Sequence, residues 1–277
     1  MRVALVGVGQ AGGKVADAIV RYDRETRGRA VTAACAVNSA KADLLGLTEI
    51  PLADRILVGQ SLVKGHGAGA DNELGVRIAE EDKTEVLDAI GEMATTEVDA
   101  FLVVAGLGGG TGSGAAPVIA RELGRLYTEP VYGLGILPGS DEGGIYTLNA
   151  ARSFRTFVDH VDNLIAFDND AWRQGGESLA GGYGTLNQEL ARRVGVLLNA
   201  GEVTEGVVPE SVVDASEVIN TLGSGGVSTV GYATAELPPR KRGLFGRRGR
   251  ARDDDSVAPV TRRPNSPRFR GGSSAVA

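Results

Sequence analysis

Six glycines in nine positions, Gly106-Leu107-Gly108-Gly109-Gly110-Thr111-Gly112-Ser113-Gly114, constrain this chain more than any other stretch. They follow Phe101-Leu102-Val103-Val104, a short apolar run that reads as a buried strand. After them, Ala115 to Leu123 carries apolar residues three and four apart, as on a helix. The glycines therefore sit where the carboxyl end of a strand turns into a helix, the place at which an open α/β sheet binds ligands. Bare backbone there approaches an anion closely, and Thr111 and Ser113 add hydroxyls. The helix start contributes unpaired N–H groups and a partial positive charge. An ordinary turn uses one or two glycines, so this loop reads as a phosphate cradle.

Two common versions of such a loop are excluded. A Walker loop needs a lysine and then Ser or Thr after its last glycine, and no such lysine follows Gly114. A hydrolase elbow needs glycines two places either side of its serine, whereas Ser113 is flanked there by Thr111 and Ala115. A dinucleotide spacing does occur at Gly7-Val8-Gly9-Gln10-Ala11-Gly12, between the strand Arg2–Val6 and a helix ending near Arg27. Nicotinamide binding also asks for an acidic residue after the second strand, and Val31–Val37 ends in Asn38-Ser39. That weighs against NAD. Cys35, the one cysteine, lies in this apolar strand and reads as core; a disulfide framework is impossible. His66 and His160 share no spacing that suggests a metal site or triad, so neither is assigned a catalytic role.

The run Gly-Gly-Gly-Thr-Gly-Ser-Gly resembles the signature of the tubulin/FtsZ superfamily of GTPases, and within it the archaeal CetZ branch. The resemblance covers roughly residues 2–236. It implies an α/β fold, a Rossmann-like, mostly parallel sheet flanked by helices, that binds GTP with Mg2+. By the same resemblance Gly108, Gly109, Gly110, Thr111, Gly112 and Ser113 hold phosphate. Gln10, Ala11 and Gly12, in a Gly-Gln-Ala-Gly-Gly first loop, touch the phosphates, with Gln10 also placed for a magnesium shell. Ala68, Gly69 and Ala70 form the loop that senses the γ-phosphate. Glu142 stands where the family's ribose glutamate does, although this chain has Tyr146 where FtsZ carries an arginine. Asn169 matches the asparagine that contacts guanine. Tyr183 and Asn187, four apart on the first turn of a long helix, offer a stacking plane and an amide for the base edge. Leu186, Leu190, Val194, Leu197 and Leu198 form that helix's core face.

A loop at residues 208–214 then enters another helix. Asp214 three residues before Glu217 is an ordinary capping-box pattern. The resemblance gives the pair a second meaning: the matching loop enters the next subunit's nucleotide site, where its acids position the attacking water. Asp214 and Glu217 would act in trans, as catalytic residues of a GTPase that works only in head-to-tail stacks. FtsZ's asparagine in this loop is replaced by Val212.

The organisation read from these signals is a GTP-binding domain at 1–222, the first strand of a second domain at 223–237, and a disordered basic tail at 238–277. The tail holds eleven Arg or Lys against three Asp, a local +8, which leaves −14 of the net −6 for residues 1–237. An acidic body of this kind stays hydrated at high salt and argues against nucleic acid as the main partner. The expected setting is a halophilic, archaeal cytoplasm, with membrane contact indirect if any, since no run of about 18 apolar residues occurs and Met1-Arg2 leads directly into a strand. The expected partners are the protein itself or full-length CetZ-like relatives in head-to-tail filaments that influence cell shape. The alternative is a truncated, non-polymerising GTP-binding module that caps or modulates such filaments.

Overall fold

Strands apolar along every residue bury both faces, which requires a parallel sheet with helices on each side. The computed structural model, which describes residues 1–93, 98–172, 179–200 and 215–231, has that architecture. The described residues all fall within the unit Met1–Ala233.

In chain order, β1 (Val3–Val8) leads into α1 (Gly9–Glu25) and β2 (Val31–Asn38) into the short α2 (Lys41–Leu45). A single turn of 3-10 helix precedes β3 (Arg55–Leu57), and α3 (Gln60–Val63) and α4 (Asn72–Glu92) follow. Next come β4 (Ala100–Gly106), α5 (Gly110–Leu126), β5 (Val131–Leu137), α6 (Gly144–Val158), β6 (Asn163–Asp168) and α7 (Asn169–Trp172). The described chain closes with α8 (Leu179–Leu198), α9 (Ala215–Leu222) and β7 (Val227–Ser228). The sheet order is β3-β2-β1-β4-β5-β6-β7, and every neighbouring pair is parallel.

Alternation along each strand fills two separate cores. Ala4, Val6, Val8, Phe101, Val103 and Ala105 face one side, where they meet apolar residues of α4, α5 and α6. Val3, Leu5, Leu102, Val104, Leu134 and Ile136 face the other, against α1, α8 and α9. Leu186, Leu190, Val194 and Leu198 of α8 are buried, as the helical spacing predicts. Cys35 is buried, and burial, helped by the charge of Asp54, pushes its thiol up to about 12. It is an inert core residue.

Besides α8, which begins at Leu179 and so places Tyr183 beyond its first turn, two boundaries differ from expectation. α5 begins at Gly110, so three of the six glycines lie inside the helix rather than on the turn before it. The reason is space. A Cβ on Gly110 would stand 2.5 Å from the Gly69 carbonyl oxygen, and one on Gly112 2.5 Å from that of Gly106. A Cβ on Gly75 of α4 would run into the Gly110 carbonyl. The glycines thus let α4, α5 and β4 approach backbone to backbone, an advantage that outweighs the poor helix propensity of glycine. The second difference is β7, which is two residues long and pairs in parallel with β6 through Leu164 and Ile165. The rest of the expected segment from residue 232 to 237, and the stretch 238–277 read as a tail, lie outside the described residues.

Candidate functional site

The sheet order reverses direction between β1 and β4, and a crevice opens at such a switch point beyond the carboxyl ends of the strands. A cavity of about 470 Å³ lies there. The ends of β1, β4 and β5 reach it through Val8, Gly106 and Leu137.

One wall is the glycine loop. Gly108, Gly109, Gly110, Thr111 and Gly112 all line the cavity. The Gly110 N–H donates to the Gly69 carbonyl at 2.9 Å, which joins this loop to the second Gly/Ala loop. Ala68 and Gly69 line the cavity, while the Ala70 carbonyl turns aside to accept from Asn149. Among the first amides of α5, those of Thr111 and Gly112 face no backbone acceptor among the described residues, as expected of a helix start. These are the donors available to an anion. The two hydroxyls have other duties. Thr111 Oγ1 lies 2.6 Å from Ser39 Oγ, and Ser113, 1% exposed, accepts from Asn72 Nδ2 at 2.9 Å and does not line the cavity.

The expected first loop is the first turn of α1, and it supplies Gln10 and Ala11; Gly12 sits behind them, packed on Val104. Gly9 has φ +74, a conformation that only glycine adopts easily, and its missing Cβ lets the backbone pass Gly112. Gln10 Nε2 donates to Asp43 Oδ1 at 3.0 Å, and Asn38 Nδ2 donates to Asp43 Oδ2 at 3.1 Å. One carboxylate therefore ties the first loop to the end of β2.

The remaining wall comes from Pro138, Glu142, Tyr146, Asn169, Tyr183 and Asn187. Asn169 starts α7 and is 8% exposed. Glu142 Oε1 accepts from the Gly139 N–H at 2.8 Å and from the Tyr183 hydroxyl at 2.7 Å. The second bond links α8 to the loop before α6. Glu217 lies on the exposed side of the first turn of α9 and does not line the cavity, and Asp214 lies outside the described residues.

Sequence reading overlooked several contributors. Lys14 lines the cavity one helical turn after Gln10, a spacing that was there to be read. Asp43 and Asn149 gave no such signal. Asn149, 1% exposed, donates to the Ala70 carbonyl at 2.7 Å and the Gly108 carbonyl at 2.9 Å, clamping the two glycine loops together. His66 also lines the cavity, again with no pattern to announce it.

The seven-stranded parallel sheet flanked by helices matches the tubulin/FtsZ GTPase fold. Residues 2–176 match the tubulin/FtsZ family GTPase domain, and residues 176–266 match the C-terminal domain of tubulin-like CetZ proteins, so the second match runs past residue 236. The chain belongs to the tubulin/FtsZ family, in its CetZ branch. It is 67% identical over 258 residues to the tubulin-like protein CetZ3 of Haloferax volcanii, covering 92% of this chain and 66% of the relative. Against CetZ1 of the same organism it is 68% identical over 242 residues, covering 87% of this chain and 61% of the relative. Among solved structures it is similar to a GDP-bound monomer of CetZ1 from H. volcanii, with TM-score 0.77, 66% identity and coverage of 82% of this chain and 66% of that one. It is also similar to a GTPγS-bound protofilament of CetZ2 from H. volcanii, with TM-score 0.75, 52% identity and coverage of 82% and 64%. The chain thus spans about two thirds of the length of the relatives it matches.

Proposed function

We propose that the cavity binds GTP and that the chain is a GTPase subunit of a head-to-tail cytoskeletal filament. The observation that carries this is the convergence of three glycine-built loops, a carboxylate and two asparagines on one cavity at the switch point of the sheet. The amides of Thr111 and Gly112 and the positive end of α5 receive phosphate oxygens. Gln10 and the loop at Ala68 and Gly69 close on the outer phosphates. Glu142 takes the ribose hydroxyls, and Asn169 and Asn187 read the guanine edge while Tyr183 packs on the base. The CetZ2 structure similar in fold is a GTPγS-bound protofilament, which supports reading this chain as a nucleotide-binding filament subunit.

Among the described residues no three His, Cys, Asp or Glu side chains gather to hold a metal. The cavity does offer the Asp43 carboxylate beside Gln10. That fits a magnesium ion held mainly by nucleotide phosphates and water, with Asp43 and Gln10 at its edge. When bound, the ion neutralises charge on the phosphate oxygens. Hydrolysis needs an attacking water held in line, and among the described residues the carboxylate beside the outer-phosphate loops, Asp43, is engaged by Gln10 and Asn38. Glu217, outside the cavity on α9, and Asp214 supply the positioning carboxylates from the neighbouring subunit. The −14 charge of residues 1–237 and relatives from Haloferax favour a halophilic cytoplasm as the setting and control of cell shape as the process served.

GTP turnover per subunit, followed with light scattering against protein concentration at high salt with magnesium, tests this reading. A rate that climbs cooperatively with scattering is expected. A rate per subunit independent of concentration would overturn the trans site.

A further inference from the structure

We propose that the groove between α4, α5 and α6, further along α5 than the large cavity, is a second ligand site that takes a tetrahedral oxyanion of the phosphate or sulfate class. The groove encloses about 110 Å³, room for several waters or one such anion. Its floor is Gly114, Pro117 and Val118 of α5. Its walls are polar and unevenly satisfied.

The carboxylate and one hydroxyl are engaged. Glu80 accepts from Arg121 at 2.8 Å and from Lys83 at 3.1 Å, and Ser113 Oγ accepts from Asn72. Arg121 is committed in turn to Glu80 and Glu122. Of the donors on α6, the Thr156 hydroxyl is spent on the Arg152 carbonyl at 3.1 Å; others are not. Ser153 lines the groove, is 2% exposed, and its hydroxyl has no hydrogen-bond partner. Arg152 makes one ion pair among the described residues, with Glu73 at 3.7 Å, too long for a hydrogen bond, and Glu73 is 85% exposed. The His160 ring, which carries an N–H in either tautomer, also lines the groove.

Ser153, Thr156 and His160 recur at helical spacing, so one face of α6 and its following turn presents them together with Arg152. A buried hydroxyl without a partner is rare in a native fold. Here it sits beside a guanidinium with bonding capacity left over. Among the described residues the one carboxylate lining the groove, Glu80, is already paired with two cations, while the Ser153 hydroxyl, the Arg152 guanidinium and a His160 N–H are left to donate, a set that suits an anion better than a cation. Arginine with a hydroxyl is a donor set suited to a tetrahedral oxyanion.

The test is equilibrium dialysis of the full chain with radiolabelled inorganic phosphate at fixed high potassium chloride, with and without saturating GDP. Saturable binding that GDP leaves in place is expected, with at least a tenfold loss of affinity in Ser153→Ala and in Arg152→Gln. Ser153→Ala removes a hydroxyl that bonds to nothing, so its melting temperature without phosphate should not fall; Arg152, at the exposed rim, provides a second variant that leaves the core untouched. Displacement by GDP would assign the anion to the large cavity and overturn the proposal. Undiminished binding in both variants, or no saturable binding above the chloride background, would do the same.

Discussion

Replacing Gly110 by alanine should break the joint between the two glycine loops, and the size of the effect follows from the backbone around it. A Cβ there would stand 2.5 Å from the Gly69 carbonyl oxygen, 2.8 Å from that of Asp71 and 3.0 Å from that of Ala68. All three are backbone atoms, so no side chain can swing away. The loop itself must move, which also stretches the 2.9 Å bond from the Gly110 N–H to the Gly69 carbonyl. Overpacking of this kind costs about 1–3 kcal/mol, and a weakened buried hydrogen bond about 1 kcal/mol more. The intrinsic preference of helices for alanine returns up to about 1 kcal/mol. A net loss of about 1–4 kcal/mol should lower the melting temperature by roughly 2–16 °C, at about 2–4 °C per kcal/mol for a chain of this size. Gly124→Ala, in the same helix, is the internal comparison. Nothing lies within 4 Å of its Cβ position, so only propensity acts, and stability should rise by about 0.5–1 kcal/mol. Circular-dichroism melts of the two variants check this directly. Equal shifts, or a gain at Gly110, would refute the argument that space and not flexibility selects these glycines.

Asp17 accepts from the backbone N–H groups of Thr48, Glu49 and Ile50. Burial pulls its carboxyl upward, but those amides prevail and hold it below the ordinary 3.8. Its contribution to stability is therefore complete above the unfolded-state value and lost as the pH falls through the lower folded-state one; Asp17→Asn should flatten the acid limb of a stability–pH curve below about pH 4. Tyr183→Phe keeps the ring but removes the 2.7 Å hydrogen bond to Glu142, so Glu142 is released for the ribose and GTP should bind roughly two- to tenfold more tightly in a calorimetric titration. Looser binding would show that the pair supports the site. Glu217→Gln should leave GTP binding unchanged while turnover in assembled protein falls by on the order of a hundredfold; an unaltered rate would remove Glu217 from the mechanism.

The parts of the site that lie close together in sequence were legible; the ties between them were not. Phe101–Val104 followed by the glycine run could only be a strand turning into a helix, and the stretch forms β4 and α5 as that reading requires. Tyr183 and Asn187 were legible through helical spacing, and both line the cavity. The start of α5 was misplaced because glycine opposes helix in isolation, and only contact with α4 and the loop at Gly69 reverses that. Asn149 and Asp43 escaped notice for a related reason. Each works through partners far along the chain, Gly108 and Ala70 for one and Gln10 for the other, and periodicity carries no information about such pairings. Asp17, which no motif or spacing marks, is buried and organises the turn at Thr48.

The central claim, a guanine-nucleotide site at the switch point of this sheet, is tested most directly by titrating the full chain with GTP and with ATP by calorimetry at high salt with magnesium. The account predicts one GTP per chain and a preference over ATP of about a hundredfold, the equivalent of about 2.7 kcal/mol, set by Asn169 and Asn187 at the base. Equal affinity for the two nucleotides, or no saturable binding of either, would contradict it.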